Sequence, residues 1–279
     1  MNVLYQILEK IMPFQWISYD FMKNALIAVL IITPLFAILG TMIVSQKMAF
    51  FSEALGHSAY TGIGIGVVFG VADKNLTMLG FAVVFALALN RIKRMNTVST
   101  DTIISVFSSL GTALGLVILS SGGNFSKYSN LLVGDILSIT QKEIGLLGIV
   151  FVLTILFWSL AFNQLHAISI NTSLAKSKGV KVERIEDIFA VLIAVIIMFS
   201  IRWVGILIIN ALLILPAASS RNISNNMREY HLYSIIISVF SGILGLVLSY
   251  YNNTATGPTI VMVASVVFFA TLLARPLVK

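Results

Sequence analysis

The feature that most constrains the fold of this chain is a series of apolar stretches of about 20 residues. A helix needs about 20 apolar residues to cross the hydrocarbon core of a bilayer. The chain is 58% hydrophobic and 10% charged, whereas soluble domains are about 45–50% apolar and about 25% charged. We therefore predict an all-α, multi-pass membrane protein with about eight transmembrane helices. The eight windows are residues 22–44, 50–71, 75–90, 101–120, 143–162, 187–220, 232–251 and 256–273.

The sixth window, residues 187–220, is too long for one straight crossing. It contains Arg202, Trp203 and Gly205 near its middle and Pro216 near its end. Backbone groups freed by a break in a membrane helix must face protein or a cavity. We therefore predict that this helix is broken and lies against other helices. A single helix that extends beyond the bilayer is the alternative.

Basic residues concentrate in two connections between apolar windows. Arg91, Lys93 and Arg94 follow the third window, and a second basic group lies within residues 164–187 after the fifth. The positive-inside rule would place both in the cytoplasm, and we predict a cytoplasmic loop at 164–187. With eight crossings, further basic residues near both ends of the sequence would then lie outside, so charge alone leaves the orientation open. The net charge of +7 is divided among such short connections and forms no long basic stripe. No nucleic-acid partner is therefore expected.

The remaining organisation is simple. We predict one transmembrane domain over residues 1–279, because no internal repeat or low-complexity linker divides the chain. Residues 1–20 carry Phe14, Trp16 and Tyr19, and such aromatic residues suit a segment at the membrane interface. A disordered or strand-like tail is the alternative for this segment.

Glu53 and His57 are the strongest candidates for chemistry. They are four residues apart, so on a helix they project from one face about one turn apart. An ionisable group inside a membrane costs about 2.5–3.5 kcal/mol on insertion scales and is by default a functional candidate. A carboxylate with an imidazole suits zinc, manganese or iron(II). The alternative is that both side chains lie at the headgroup boundary, where Glu53 favours a helix start.

A single pair supplies only two metal ligands. Zinc takes about four ligands, and a second copy of the chain across a two-fold axis would provide the other two. The chain has no cysteine, so thiolate metal sites are excluded. Four lone residues fit solvated or capping roles better than metal ligation, and they are His166, His231, Asp101 and Asp135.

The chain carries no sequence mark of an enzyme. It has no Gly-x-x-x-x-Gly-Lys-Ser/Thr segment, so it cannot by itself be an ATPase, and it has no His-Glu-x-x-His segment of a metalloprotease. A secondary transporter driven by an ion gradient is an alternative to ATP-driven transport. Its usual mark is a pair of inverted repeats, and we find none.

One longer segment carries a family resemblance. The run Met-Ala-Phe-Phe-Ser-Glu-Ala-Leu-Gly-His-Ser at 48–58 is similar to the Gly-Asp-Ala-Leu-Ser-His segment of the zinc and manganese ABC transporter permeases, the ABC-3 family. Three departures are Ser52 for Gly, Glu53 for Asp and Gly56 for Ser. The chain resembles this family from about Leu26 to Leu273, with further similar stretches at 174–180, 205–218 and 256–261.

The resemblance implies a permease related to the type II ABC importer fold, in the bacterial cytoplasmic membrane. Glu53 and His57 would line the metal path. The transported zinc or manganese ion is cargo, with no permanently bound cofactor, and the segments at 48–51 and 133–135 are closer to the zinc members. A permease for iron or an iron chelate is the alternative.

The resemblance also implies partners. They are an ATP-binding cassette ATPase, an extracellular or periplasmic metal-binding protein and a second copy of the chain. A coupling segment would dock in a groove of the ATPase, and its residues are Leu174, Ala175, Lys178, Gly179 and Val180.

Overall fold

The computed structural model describes Tyr5 and residues 14–95, 99–121 and 128–278. Ten α-helices have bounds within these residues, and no β-strand occurs among them. Three short 3-10 helices cover Gln15–Ser18, Ser129–Leu132 and Ile136–Ser138. The α-helices are α1 (Asp20–Ser45), α2 (Phe51–Val68), α3 (Lys74–Lys93), α4 (Thr100–Ser121), α5 (Gln141–Ile170), α6 (Thr172–Ser177), α7 (Val182–Val204), α8 (Ile206–Ile223), α9 (Met227–Asn252) and α10 (Thr256–Val278).

Seven of these helices are long and apolar enough to cross a membrane: α1, α3, α4, α5, α7, α9 and α10. Large apolar side chains on α5 and α10 are exposed, among them Leu160 and Leu273. Lipid tails rather than water would contact such side chains. The prediction of an all-α, multi-pass membrane protein is therefore confirmed.

The predicted break in the sixth window occurs at Gly205. This glycine ends α7 with a φ of 86°. Glycine adopts this backbone conformation at little cost in free energy because it has no Cβ. The methyl Cγ2 of Ile206 lies 2.9 Å from where a Cβ on Gly56 would be, and Ser52 hydrogen-bonds Asn210. Ile206 contacts α2 at Gly56, whereas Asn210, one turn later in α8, contacts α2 at Ser52, one turn earlier. The first turn of α8 is therefore antiparallel to the start of α2.

The described chain divides into two compact units. The first combines Met1–Thr41, Val133–Thr154 and Ala211–Lys279. Within it, α9 lies against α1, because a Cβ on Gly242 would be only 2.6 Å from Cγ2 of Thr33. Ser238 Oγ also donates to the carbonyl of Thr33 at 2.9 Å. Small residues and hydroxyl groups at a helix interface permit this close packing in a membrane.

The second unit combines Met42–Leu132 with Ile155–Asn210, and α2 packs against α3, α4 and α7 within it. A Cβ on Gly62 would be 2.6 Å from Cα of Met78 in α3. On the other side, a Cβ on Gly115 of α4 would be 2.5 Å from Cβ of Tyr60. Glycines therefore bring two neighbouring helices into backbone contact with α2.

Most of the proposed interfacial segment, residues 1–4 and 6–13, lies outside the described residues, while Trp16 within it is buried. The loop expected at 164–187 is largely helical: α5 continues to Ile170, α6 follows, and α7 begins at Val182. Hydropathy does not detect helix that projects beyond an apolar window, so these helical turns were not predicted; the cytoplasmic position of the segment stays a prediction. The single transmembrane domain stays a prediction.

Candidate functional site

The first turns of α2 carry the acid–imidazole pair. Glu53 lies in the first turn, where a carboxylate complements the positive end of the helix dipole. His57 follows one turn later, and its Nε2 lies 3.8 Å from Oε1 of Glu53. The Glu53 side chain is 40% exposed and that of His57 is 19% exposed. The carboxylate is therefore accessible, and the imidazole lies behind it.

The second ring nitrogen of His57 is also distinctive. Its Nδ1 is buried and has no hydrogen-bond partner among the described residues. Leaving a buried polar group unpaired costs about 1–3 kcal/mol, and each such group in a native protein needs an explanation.

A pocket of about 550 Å³ lies beside Glu53, and Phe50 and Val106 line it together with several polar side chains. It is lined by the start of α2 and by one face of α4. Its polar groups are the carboxylates of Glu53 and Asp101 and the hydroxyl groups of Thr102, Ser105, Ser108 and Ser109. Oxygen ligands of this kind suit hydrated divalent cations.

Asp101 is the site residue that the sequence analysis missed. We interpreted it as a helix cap, whereas the structure places it in the same pocket as Glu53. A signal was present in the spacing. The polar residues of α4 recur at 101, 105 and 108 and again at 102, 105 and 109, so they form one polar stripe on an otherwise apolar helix.

The ligand set of one chain is incomplete. No group of three or more His, Cys, Asp or Glu side chains able to hold a metal occurs in the described part of the chain. The histidines at 166 and 231 are not among the residues that line the pocket. Glu53 and His57 are therefore a candidate pair with no third such side chain beside them in the described part of the chain.

The start of α2 is held in place by α8. Ser52 Oγ donates to Oδ1 of Asn210 at 2.6 Å, so the residue before Glu53 is fixed. Gly56 faces Ile206, whose Cγ2 would lie 2.9 Å from an added Cβ. This contact explains why a glycine occupies a position where the family segment has serine.

The predicted coupling segment forms a compact helical corner. Asn171 caps α6 by accepting a hydrogen bond from the backbone N–H of Leu174 at 3.0 Å. Gly179 has a φ of 80°, which reverses the chain, and Val180 N–H donates to the carbonyl of Ala175 at 3.1 Å. Ala175 is buried, whereas Leu174 is 52% exposed. The corner thus presents an apolar side chain outward.

A basic pocket of about 430 Å³ adjoins this corner. Lys178, Lys181 and Arg184 line it together with Gln164 at the end of α5. The structure therefore brings the predicted coupling residues Lys178, Gly179 and Val180 together in one positively charged surface.

Seven helices are long and apolar enough to cross a membrane. The chain also carries a carboxylate–imidazole pair beside a pocket with polar side chains, and a basic helical corner. These features together define a multi-pass membrane transport protein. Residues 18–275 match the family model of the ABC 3 transport family. The chain belongs to this family, and the resemblance found in the sequence is confirmed.

Individual relatives agree with the family match. The chain is 32% identical over 234 residues to the high-affinity zinc uptake system membrane protein ZnuB of Buchnera aphidicola subsp. Schizaphis graminum, covering 82% of this chain and 88% of the relative. It is 24% identical to the manganese transport system membrane protein MntC of Listeria monocytogenes, covering 93% and 92%.

A solved structure has the same fold. PsaBC from Streptococcus pneumoniae, in complex with Fab, superposes with a TM-score of 0.79 at 24% sequence identity. The similarity covers 97% of this chain and 95% of that chain. The helical arrangement described above is therefore shared with that solved structure.

Proposed function

We propose that this chain is the membrane permease subunit of a bacterial ABC importer for divalent metal ions, with zinc favoured over manganese. Glu53 and His57 hold the ion during transit. The observation that supports the proposal is the carboxylate–imidazole pair on one membrane-protein helix, with Glu53 lining a pocket that also contains Asp101 and several hydroxyl-bearing side chains.

The geometry of the pair suits a metal ion. A tetrahedral zinc with bonds of about 2.0–2.2 Å separates its ligand atoms by about 3.4 Å. Nε2 of His57 and Oε1 of Glu53 are 3.8 Å apart, so a small rotamer adjustment brings both into coordination. A two-fold related copy of the chain would supply a second pair and complete four ligands.

Release of the ion requires a site that binds it more weakly than the Glu53–His57 pair does. A site on a transport path must bind well enough to accept the ion and weakly enough to let it leave. Asp101 and the hydroxyl groups of α4 provide oxygen atoms around a volume large enough for a hydrated ion. The ion would pass from the Glu53–His57 pair into this pocket as its hydration shell is restored.

Energy and delivery come from partners. The sequence has no phosphate-binding loop, so an ATP-binding cassette subunit would hydrolyse ATP and dock against the corner at Leu174 to Val180. An extracellular or periplasmic metal-binding protein would deliver the ion to a pair of permease copies in the cytoplasmic membrane.

The choice of zinc rests on the relatives. The sequence identity is 32% to a zinc uptake protein and 24% to a manganese transport protein. A carboxylate with an imidazole accepts either ion. Manganese is therefore the second candidate cargo.

The test is uptake of radiolabelled zinc and manganese by the permease reconstituted with its ATPase and delivery protein. Glu53→Gln and His57→Asn keep side-chain size and remove the charge or the ring. We expect each to lower zinc uptake at least tenfold in correctly assembled complexes. His166→Asn is the matched control, because His166 lies on α5 and does not line the pocket. Wild-type uptake in both site variants would refute the proposed metal path.

A further inference from the structure

An arginine clamp joins the end of α3 to the start of α7. Arg94 directly follows α3 and contacts Asp187 twice, with Nη2 at 2.7 Å from Oδ1 and Nη1 at 3.3 Å from Oδ2. Its Nε donates to Oε2 of Glu186 at 3.3 Å, and Nη2 donates to the carbonyl of Glu183 at 2.7 Å. Asn90 adds a hydrogen bond to Oδ1 of Asp187 at 2.7 Å.

The clamp is directional as well as attractive. The planar guanidinium binds a carboxylate through two parallel hydrogen bonds, which fixes orientation in a way that the ammonium group of lysine cannot. The site is also partly withdrawn from water, since side-chain exposure is 24% for Arg94 and 12% for Glu186. The first turns of α7 are therefore held in a defined position against the end of α3.

The same turn of α7 is attached to the coupling corner. The carboxylate of Glu183 lies 3.7 Å from Nζ of Lys176 in α6, while its carbonyl accepts from Arg94. The backbone bond from Val180 N–H to Ala175 closes the corner between α6 and α7. A displacement of α6 is thus passed to the residues that Arg94 holds.

The other side of the clamp leads to the acid–imidazole pair. Lys93 Nζ donates to Sδ of Met48 at 3.3 Å, and the carbonyl of Met48 accepts from the N–H of Phe51, the first residue of α2. Glu53 lies two residues further on. Backbone contact between Gly62 of α2 and α3 restrains α2 from sliding along α3.

We propose that Arg94 is a positioning residue that transmits movement of the coupling corner to the start of α2 and so to Glu53. This inference rests on the proposed function. When a partner ATPase moves α6, the clamp carries the end of α3 with α7, and the Lys93–Met48 contact moves the turn before α2. Without the clamp, movement of α7 reaches α2 only through the packing of α7 against α2 and α3, so the start of α2 follows less closely.

The first test is the number of metal ions imported per ATP hydrolysed by the reconstituted importer. We expect Arg94→Lys to lower this ratio at least fivefold while ATP hydrolysis stays within twofold of wild type. Arg91→Lys is the matched control, because Arg91 is exposed and makes none of the clamp contacts. The double variant Arg94→Asp with Asp187→Arg should restore part of the ratio lost in either single variant.

A purely structural role for Arg94 gives a different result. It lowers uptake and ATP hydrolysis in the same proportion, because fewer complexes assemble, and the ratio stays at the wild-type value. That outcome overturns the inference. Absence of metal uptake by the wild-type importer would instead refute the proposed function, so the two failures are distinguishable.

A second test needs no metal. The chain has no cysteine, so Thr102→Cys places a single thiol in the pocket beside Glu53. Its rate of maleimide labelling is measured in the assembled complex, with and without ATP and vanadate. We expect the nucleotide-dependent change in rate to disappear when Arg94→Lys is added and to persist with Arg91→Lys. An undiminished change in the Arg94→Lys background overturns the inference.

Discussion

The close contact at Gly115 gives the sharpest test of how α2 is held. A Cβ added at this position would lie 2.5 Å from Cβ of Tyr60, 2.6 Å from the backbone N of Thr61 and 2.7 Å from the carbonyl carbon of Tyr60. Because two of these are backbone atoms, rotation of a side chain cannot relieve the overlap. Gly115→Ala therefore forces α2 and α4 apart.

The expected loss of stability in Gly115→Ala has two contributions. Ordinary van der Waals contact requires about 3.5–4.0 Å between carbon atoms, so the helices must separate by about 1 Å. Overpacking of this kind costs about 1–3 kcal/mol. The same movement lengthens the hydrogen bond from Thr61 Oγ1 to the carbonyl of Gly111, now 2.6 Å, and an interhelical bond in a membrane is worth about 0.6 kcal/mol on average. We expect a loss of about 2–4 kcal/mol.

The measurement is unfolding of the purified permease by titration with a denaturing detergent. Gly80→Ala is the matched control, because nothing lies within 4 Å of a Cβ at that position in α3. Both variants gain the same helix propensity, about 1 kcal/mol, so their difference isolates the packing cost. Equal stability of the two variants would refute the described contact between α2 and α4.

Three further predictions concern the pocket, the support of α2 and the coupling corner. Asp101→Asn removes one of the two carboxylates that line the pocket and should lower zinc uptake about three- to tenfold with ATPase binding unchanged; normal uptake would exclude Asp101 from the path. Ser52→Ala removes the 2.6 Å bond to Asn210 and should cost about 1 kcal/mol, seen as a lower midpoint in the same detergent titration. Asn171→Ala removes the cap of α6, worth about 1 kcal/mol, and should weaken binding of the ATPase in a pull-down assay while uptake at saturating ATPase recovers.

The long helices could be predicted from the sequence, whereas the contacts between them could not. Apolar windows located each long helix because membrane insertion depends on local hydropathy. Arg202, Trp203, Gly205 and Pro216 indicated a break in the longest window but did not give its position. The extension of α5 to Ile170 was not predictable in this way, since its last turns are no longer apolar enough to resemble a span. Helix formation there depends on hydrogen bonding within the helix, which hydropathy does not measure.

The candidate site was predictable in part for a similar reason. Glu53 and His57 are neighbours on one helix, so their spacing alone places them together. Asp101 belongs to another helix, and its position beside Glu53 depends on the close approach of α4 to α2 at Gly111 and Gly115. The spacing shows the polar stripe of α4, but it does not show which helix that stripe faces. The clamp at Arg94 was hidden in the same way, because its partners on α7 are about 90 residues away.

The composition of the first compact unit has a consequence for biosynthesis. Its parts are residues 1–41, 133–154 and 211–279, so α1 enters the bilayer long before α9, the helix that packs against it. The bond between Ser238 and Thr33 spans 205 residues of chain. Helices of a membrane protein can insert singly and associate afterwards, and α1 must persist in lipid without its contact to α9 until synthesis is almost complete. Premature termination before α9 would therefore leave an inserted chain whose first compact unit is incomplete.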